Sequence, residues 1–157
     1  AFEEKLGEFA EPLPGVREVL EWLEERNVPR AICSGARREE IVALLDAFKL
    51  RHHFDVLVAI EDVGMGKPDP EGYNKAFELL NLEYDGGLEK EFALVIEDSA
   101  GGCSAGKAAG LRVLGVGTSL GLEGVRGHAT FAVEDLSELD HRVLGAGAAA
   151  RLYFGAA

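Results

Sequence analysis

The stretch Phe92-Ala93-Leu94-Val95-Ile96-Glu97-Asp98-Ser99-Ala100-Gly101-Gly102 decides how the chain folds. Its first five residues are apolar without the period-two alternation of a half-solvated strand, which fits a strand covered on both faces, as parallel sheets require. Two adjacent acids then end the run. Paired carboxylates at the end of a buried strand are costly unless hydrated, paired or metal-bound, so Glu97 and Asp98 are candidate functional residues. The competing reading is that Asp98 or Ser99 caps the next helix, with Gly101-Gly102 allowing close backbone approach. That helix passes through Ala105, Ala108 and Ala109 and should stop at Gly110.

On either side the same grammar repeats. Compact apolar runs occur at Arg30-Ala31-Ile32-Cys33, Val56-Leu57-Val58-Ala59-Ile60 and Val113-Leu114-Gly115-Val116, with a weaker last strand at Thr130-Phe131-Ala132-Val133. Between them apolar residues recur at i, i+3, i+4, i+7: Val16, Val19, Leu20 and Leu23; Ile41, Leu44, Leu45 and Phe48; Tyr73, Ala76, Phe77 and Leu80. Each set predicts one buried helical face. Pro14 and Pro70 suit first helical positions, and Asp69 can cap the helix it precedes. Alternation of strand and helix from about residue 29 to 116 predicts an α/β fold with a doubly wound parallel sheet.

The 157 residues are the size of one domain, and 47% apolar content is ordinary for a globular chain. No apolar run is long enough to span a bilayer, and the start lacks the order of a signal peptide. A cytoplasmic location is the expectation. The formal charge of -12 disfavours nucleic acid and anionic lipid as partners. A small anionic ligand then needs local positive potential, which Lys67 and Arg37 can supply. Cys33 and Cys103 read as reduced core residues. None of the four histidines stands at metal-ligand spacing to a cysteine, so His52, His53, His128 and His141 are read as bystanders.

Two further residues occupy strand ends. Ser34 closes the first apolar run, where a serine is more often a cap or turn former than a ligand. Lys67 is held between Gly66 and Pro68, which restricts the backbone around it. In an open parallel sheet the carboxyl ends of neighbouring strands converge on one crevice. A hydroxyl, an ammonium and two carboxylates gathered there suit a phosphate and a hard cation.

Ser34, then Gly66-Lys67-Pro68-Asp69-Pro70, then Glu97-Asp98-Ser99 followed by small residues, resembles the second, third and fourth motifs of the haloacid dehalogenase superfamily. The likeness is closest to its phosphoglycolate phosphatase and β-phosphoglucomutase subgroup, and covers roughly residues 12 to 136. The resemblance implies a Rossmann-like core and Mg2+-assisted phosphoryl transfer through an aspartyl-phosphate, with a small phosphorylated metabolite as substrate. By carry-over, Ser34 and Gly35 bind the phosphate, Lys67 neutralises charge on it and on the nucleophile, and Glu97 and Asp98 hold the cation directly or through water. These roles match the chemistry, since fixed cations stabilise charge spread over the phosphoryl oxygens.

The family's first motif, a central strand ending in Asp-x-Asp, is not in this sequence. On the family pattern residues 1–13, with Phe2, Leu6 and Phe9, are the end of a cap helix and a return linker; residues 14–140 are the core; residues 141–157 are a Gly/Ala-rich tail. That tail is either a loose terminus or a docked strand around Leu152-Tyr153-Phe154. Without a central strand, ladder groups of its neighbours would be left unpaired. The expected function is that of a phosphohydrolase core, inactive as it stands for want of its nucleophile. A phosphomutase and a non-catalytic binding or assembly module are the alternatives.

Overall fold

The apolar runs through Ile32, Val95 and Leu114 carry no polar alternation because these strands are buried on both faces. The computed structural model describes residues 12–139 and 151–156. In it, strand β1 (Arg30–Ser34) follows helix α1 (Val16–Glu25); α2 (Arg38–Ala47) leads to β2 (Val56–Val58), and α3 (Glu71–Glu83) to β3 (Ala93–Glu97). Helix α4 (Ala100–Ala108), β4 (Arg112–Val116), α5 (Gly121–Arg126), β5 (Phe131–Val133) and β6 (Arg151–Ala156) complete the series. Ala31, Cys33, Ala93, Val95 and Val113 pack with α3 and α4 in one core. Leu94, Ile96, Leu114 and Val116 pack with α1 in a second, and Ile32 joins α1 and α2 in a third. Alternate residues of one strand thus enter opposite layers, which removes the polar alternation.

Strand order is β2-β1-β6-β3-β4-β5, and every adjacent pair runs parallel. The chain winds outward from β1 to β2 and, in the other direction, from β3 through β4 to β5. The switch point therefore lies between β1 and β3. Ligands of such sheets bind outside the carboxyl ends of the strands at this point.

The expectation of an unfilled sheet centre changes here. The structure takes the docked-strand alternative, with Ala31 of β1 paired to Tyr153 and Val95 of β3 paired to the same residue. Residues 151–156 therefore belong to the core sheet and not to a tail apart from it. Their backbone satisfies the facing ladders of β1 and β3, which is the physical requirement on any occupant of that slot. The sequence of β6 has no acidic residue.

Local punctuation departs from the sequence reading in small ways. Pro70 is the N-cap of α3 instead of its first residue, while the Asp69 carboxylate accepts the Glu71 N–H at 2.9 Å. Pro14 lies in the turn before α1, whose N-cap is Gly15. Leu44, expected on the buried face of α2, is exposed. Gly110 does end its helix: at φ +79° it lets its own N–H reach the Lys107 carbonyl and the Leu111 N–H reach the Gly106 carbonyl. The proposed cap remnant at 1–13 lies, apart from its last two residues, outside the described residues.

Candidate active site at the carboxyl ends of the central strands

Glu97 is the last residue of β3 and is 1% exposed. A carboxylate there requires donors, and five reach it. Lys67 Nζ donates to Oε1 at 2.5 Å and the Tyr73 hydroxyl to the same oxygen at 3.3 Å. Oε2 accepts from the N–H groups of Asp98 and Ser99 and from the Ser99 hydroxyl, each at 2.9 Å. The Ser99 hydroxyl oxygen also caps α4 by accepting the Gly102 N–H at 3.0 Å. Both readings of this segment hold together: Ser99 is the helix cap, and through it the cap fixes the acid.

The neighbouring acid is different. One oxygen of Asp98 accepts the Ser119 hydroxyl from the loop after β4, while Oδ1 is buried with no hydrogen-bond partner. Buried polar atoms in native folds are nearly always satisfied, so an orphaned carboxylate oxygen calls for a ligand. A hard divalent cation fits that donor.

Lys67 comes from the loop between β2 and α3, with its side chain 15% exposed. Besides Glu97 it reaches the Cys33 carbonyl at 3.1 Å, and its ammonium lies 5.1 Å from the centre of the Tyr73 ring. The Lys67–Pro68 peptide is cis. Ser34, Gly35 and Lys67 line one open pocket together with Asp69 and Tyr73. Ser34 Oγ accepts the Ala36 N–H at 3.1 Å, so it forms the turn that the plain reading expected and also faces the pocket. The structure thus brings Ser34, Gly35 and Lys67 together and ties Lys67 to Glu97, beside Asp98. Arg37 is not brought in; its guanidinium pairs with Glu39 at 3.2 Å on the surface.

Burial pushes the Cys33 thiol up to about 11, even though Lys67 pulls the other way. It drives Cys103 to about 11 as well. Both therefore remain thiols near neutral pH and are not nucleophiles there. Burial, reinforced by Glu97, also raises Tyr73, which keeps its proton to donate. Tyr73 and Ser119 escaped the sequence reading. Tyr73 sits in a helical apolar set and looks like core, while Ser119 stands outside any motif.

Comparisons with known proteins bear on the family of the chain. A family model described as haloacid dehalogenase-like hydrolase matches residues 1–110. A phosphorylated carbohydrates phosphatase of Thermotoga maritima is 38% identical over 75% of this chain and 54% of its own length. A validoxylamine A 7'-phosphate phosphatase of Streptomyces hygroscopicus subsp. limoneus is 33% identical over 80% of this chain and 55% of its own. The chain thus spans about half the length of these curated relatives. Among solved structures, one from Thermotoga maritima assigned as a β-phosphoglucomutase superposes with a TM-score of 0.77 at 30% identity, over 92% of this chain and 63% of that one. CbbY from Rhodobacter sphaeroides, in complex with phosphate, superposes at 0.71 with 26% identity, over 80% and 55%. On the extent of these matches, the chain belongs to the haloacid dehalogenase-like hydrolase family.

Proposed function

We propose that this chain is the core of a Mg2+-dependent phosphohydrolase for a small phosphorylated metabolite, with a sugar phosphate as the favoured class. The carrying observation is the buried, unpartnered Asp98 Oδ1 beside a Glu97–Lys67 ion pair that opens onto the Ser34 pocket. The curated relatives support the substrate class, being phosphatases of phosphorylated carbohydrates and related small phosphates.

In this reading the Ser34 hydroxyl and the Gly35 backbone orient the phosphate, and Lys67 offsets its negative charge. Asp98 holds Mg2+ through Oδ1. Glu97, whose oxygens are occupied by protein donors, contributes through water and by fixing Lys67. When bound, the cation neutralises charge that builds on the phosphoryl oxygens. The phosphoryl acceptor is an aspartate, giving an aspartyl-phosphate, and β6 as it stands offers no carboxylate for that step. Ser34 does not replace it, since an unactivated hydroxyl is a poor nucleophile. A phosphomutase of the same family is the second reading, favoured by the likeness to the β-phosphoglucomutase fold.

The test is titration of the purified chain with inorganic phosphate, with and without Mg2+, beside an assay on an aryl phosphate. Mg2+-dependent phosphate binding that weakens in Ser34→Ala and Asp98→Asn, without turnover, is expected. Robust Mg2+-dependent turnover that survives Ser34→Ala would overturn the view that this chain lacks its nucleophile, because a carboxylate elsewhere in it must then serve, whereas phosphate binding indifferent to Mg2+ and to both substitutions would sink the site itself. Isomerisation of a sugar phosphate that appears only with an activating bisphosphate favours the mutase.

A further inference from the structure

A second cluster lies away from the strand ends. Glu24 is in the last turn of α1, while His52 and His53 form the 3-10 turn Arg51–His53 that follows α2. Glu24 Oε2 stands 3.2 Å from His53 Nδ1 and 3.9 Å from His52 Nε2, and the three ligand atoms all fall within 4.8 Å of one another. The two imidazole rings are 4.0 Å apart, tilted by 37°. The His53 side chain is only 5% exposed, yet its Nδ1 is buried with no hydrogen-bond partner despite the nearby carboxylate.

An ordinary histidine–glutamate hydrogen bond does not account for this arrangement, because the buried His53 Nδ1 makes none although Glu24 Oε2 is within reach. An unpartnered imidazole nitrogen grouped with a second imidazole and a carboxylate oxygen is a donor set that ligates metals. Zinc-class ions bind imidazole and carboxylate at about 2.0–2.2 Å, which makes tetrahedral ligand–ligand edges about 3.3–3.6 Å. The observed separations bracket those edges. Arg30, whose guanidinium donates to the His53 carbonyl, opposes a cation, whereas Glu24 and the nearby Glu21 favour one.

We infer that Glu24, His52 and His53 form a site for one zinc-class divalent cation, separate from the strand-end pocket. The site clamps the end of α1 to the turn that enters β2. Two imidazoles and one carboxylate select Zn2+ or Co2+ over Mg2+. The exposed side, where Glu24 and His52 are about half open to solvent, leaves room for a fourth ligand such as water. Since the two cysteines are buried thiols, no sulfur takes part.

Metal-stripped chain titrated with Co2+ tests this. One equivalent should give four-coordinate visible bands without the ultraviolet charge-transfer band of a thiolate, distinct from any Co2+ at the oxygen ligands of the strand-end site, and Zn2+ should displace it. Thermal stability should rise with Zn2+ concentration, because the ion binds only the folded arrangement. His52→Ala and Glu24→Gln, both at exposed positions, should weaken binding at least tenfold; His53→Ala is less decisive because its burial threatens folding. Asp98→Asn should leave the four-coordinate bands unchanged. Absence of micromolar binding, affinity unaltered in both exposed variants, or binding abolished by Asp98→Asn overturns the assignment.

Discussion

Lys67 Nζ and Glu97 Oε1, 2.5 Å apart, form an ion pair that joins the loop after β2 to the end of β3. Glu97 is out of contact with solvent, so its charge depends on Lys67 and the hydroxyl and amide donors around it. Breaking a buried pair from one side leaves an uncompensated charge and costs about 3–5 kcal/mol. Lys67→Met should therefore lower stability by about that amount in urea unfolding, a large part of a domain's total. Lys67→Met combined with Glu97→Gln should recover part of the loss. Strictly additive single effects would show that the two residues do not act as a pair. Ser34→Ala, which removes one turn hydrogen bond, should cost only about 1 kcal/mol.

Gly101 and Gly102 look equivalent in sequence, but their surroundings separate them. A Cβ on Gly102 would lie 2.0 Å from Glu97 Cδ, whereas one on Gly101 meets nothing within 4 Å. Gly101→Ala should be neutral or stabilising by about 0.5–1 kcal/mol through helix propensity and a less free unfolded chain. Gly102→Ala must expel the Glu97 carboxyl from its donors and should be strongly destabilising, with loss of any Mg2+ binding at Asp98. Thermal melts of the two variants compare them directly; equal melting temperatures would refute the close approach.

The layers of the fold were legible because buried residues of β1, β3 and β4 alternate between clusters on opposite faces of the sheet and the long helices each bury an apolar face. Helix ends were less so. At the end of α2 the left-handed position is Lys49, at φ +57°, and after α1 it is Asn27, so glycine does not mark either stop. Ser34, Lys67, Glu97 and Asp98 stood out because strand ends are where chemistry gathers. Tyr73 was hidden by playing two parts, packing in the core while donating to Glu97. Pairing of His52 and His53 with Glu24 arises from tertiary contact across about 28 residues and leaves no local pattern. The central position of β6 is likewise a long-range property, visible in sequence only as an apolar triplet in a Gly/Ala-rich setting.

Asp62 gives the fold a defined acid sensitivity. Its carboxylate accepts the Ala59 N–H at 2.8 Å and pairs with Arg38, and these hold its pKa below the ordinary value of 3.8, the backbone bond first and the arginine second. A depressed folded pKa means that the stabilisation is complete above the unfolded value and is lost as pH falls through the folded one. Asp62→Asn should lower stability by about 1 kcal/mol near neutral pH. That gap should stay constant down to about pH 4 and narrow below it. Urea midpoints of the two proteins across this range measure it, and a gap unchanged at the acid end would show that Asp62 does not titrate as an engaged carboxylate.

The last expectation concerns the centre of the sheet. Strand β6 is paired on both sides, Arg30 through Ser34 of β1 facing Leu152 through Ala156, and Ala93 through Ile96 of β3 facing Arg151 through Phe154. A proline there removes a backbone donor and cannot be accommodated as it would be at an edge. Leu152→Pro should therefore lower the urea midpoint and release the slow-exchanging amides of Ile32–Ser34 and Val95–Glu97 together, because both flanking ladders lose the same partner. Hydrogen exchange resolved by residue reads this. If those amides keep their protection in Leu152→Pro, residues 151–156 do not hold the slot between β1 and β3. The same slot would then be filled by another strand, and the position next to Lys67 would belong to whatever residue that strand brings.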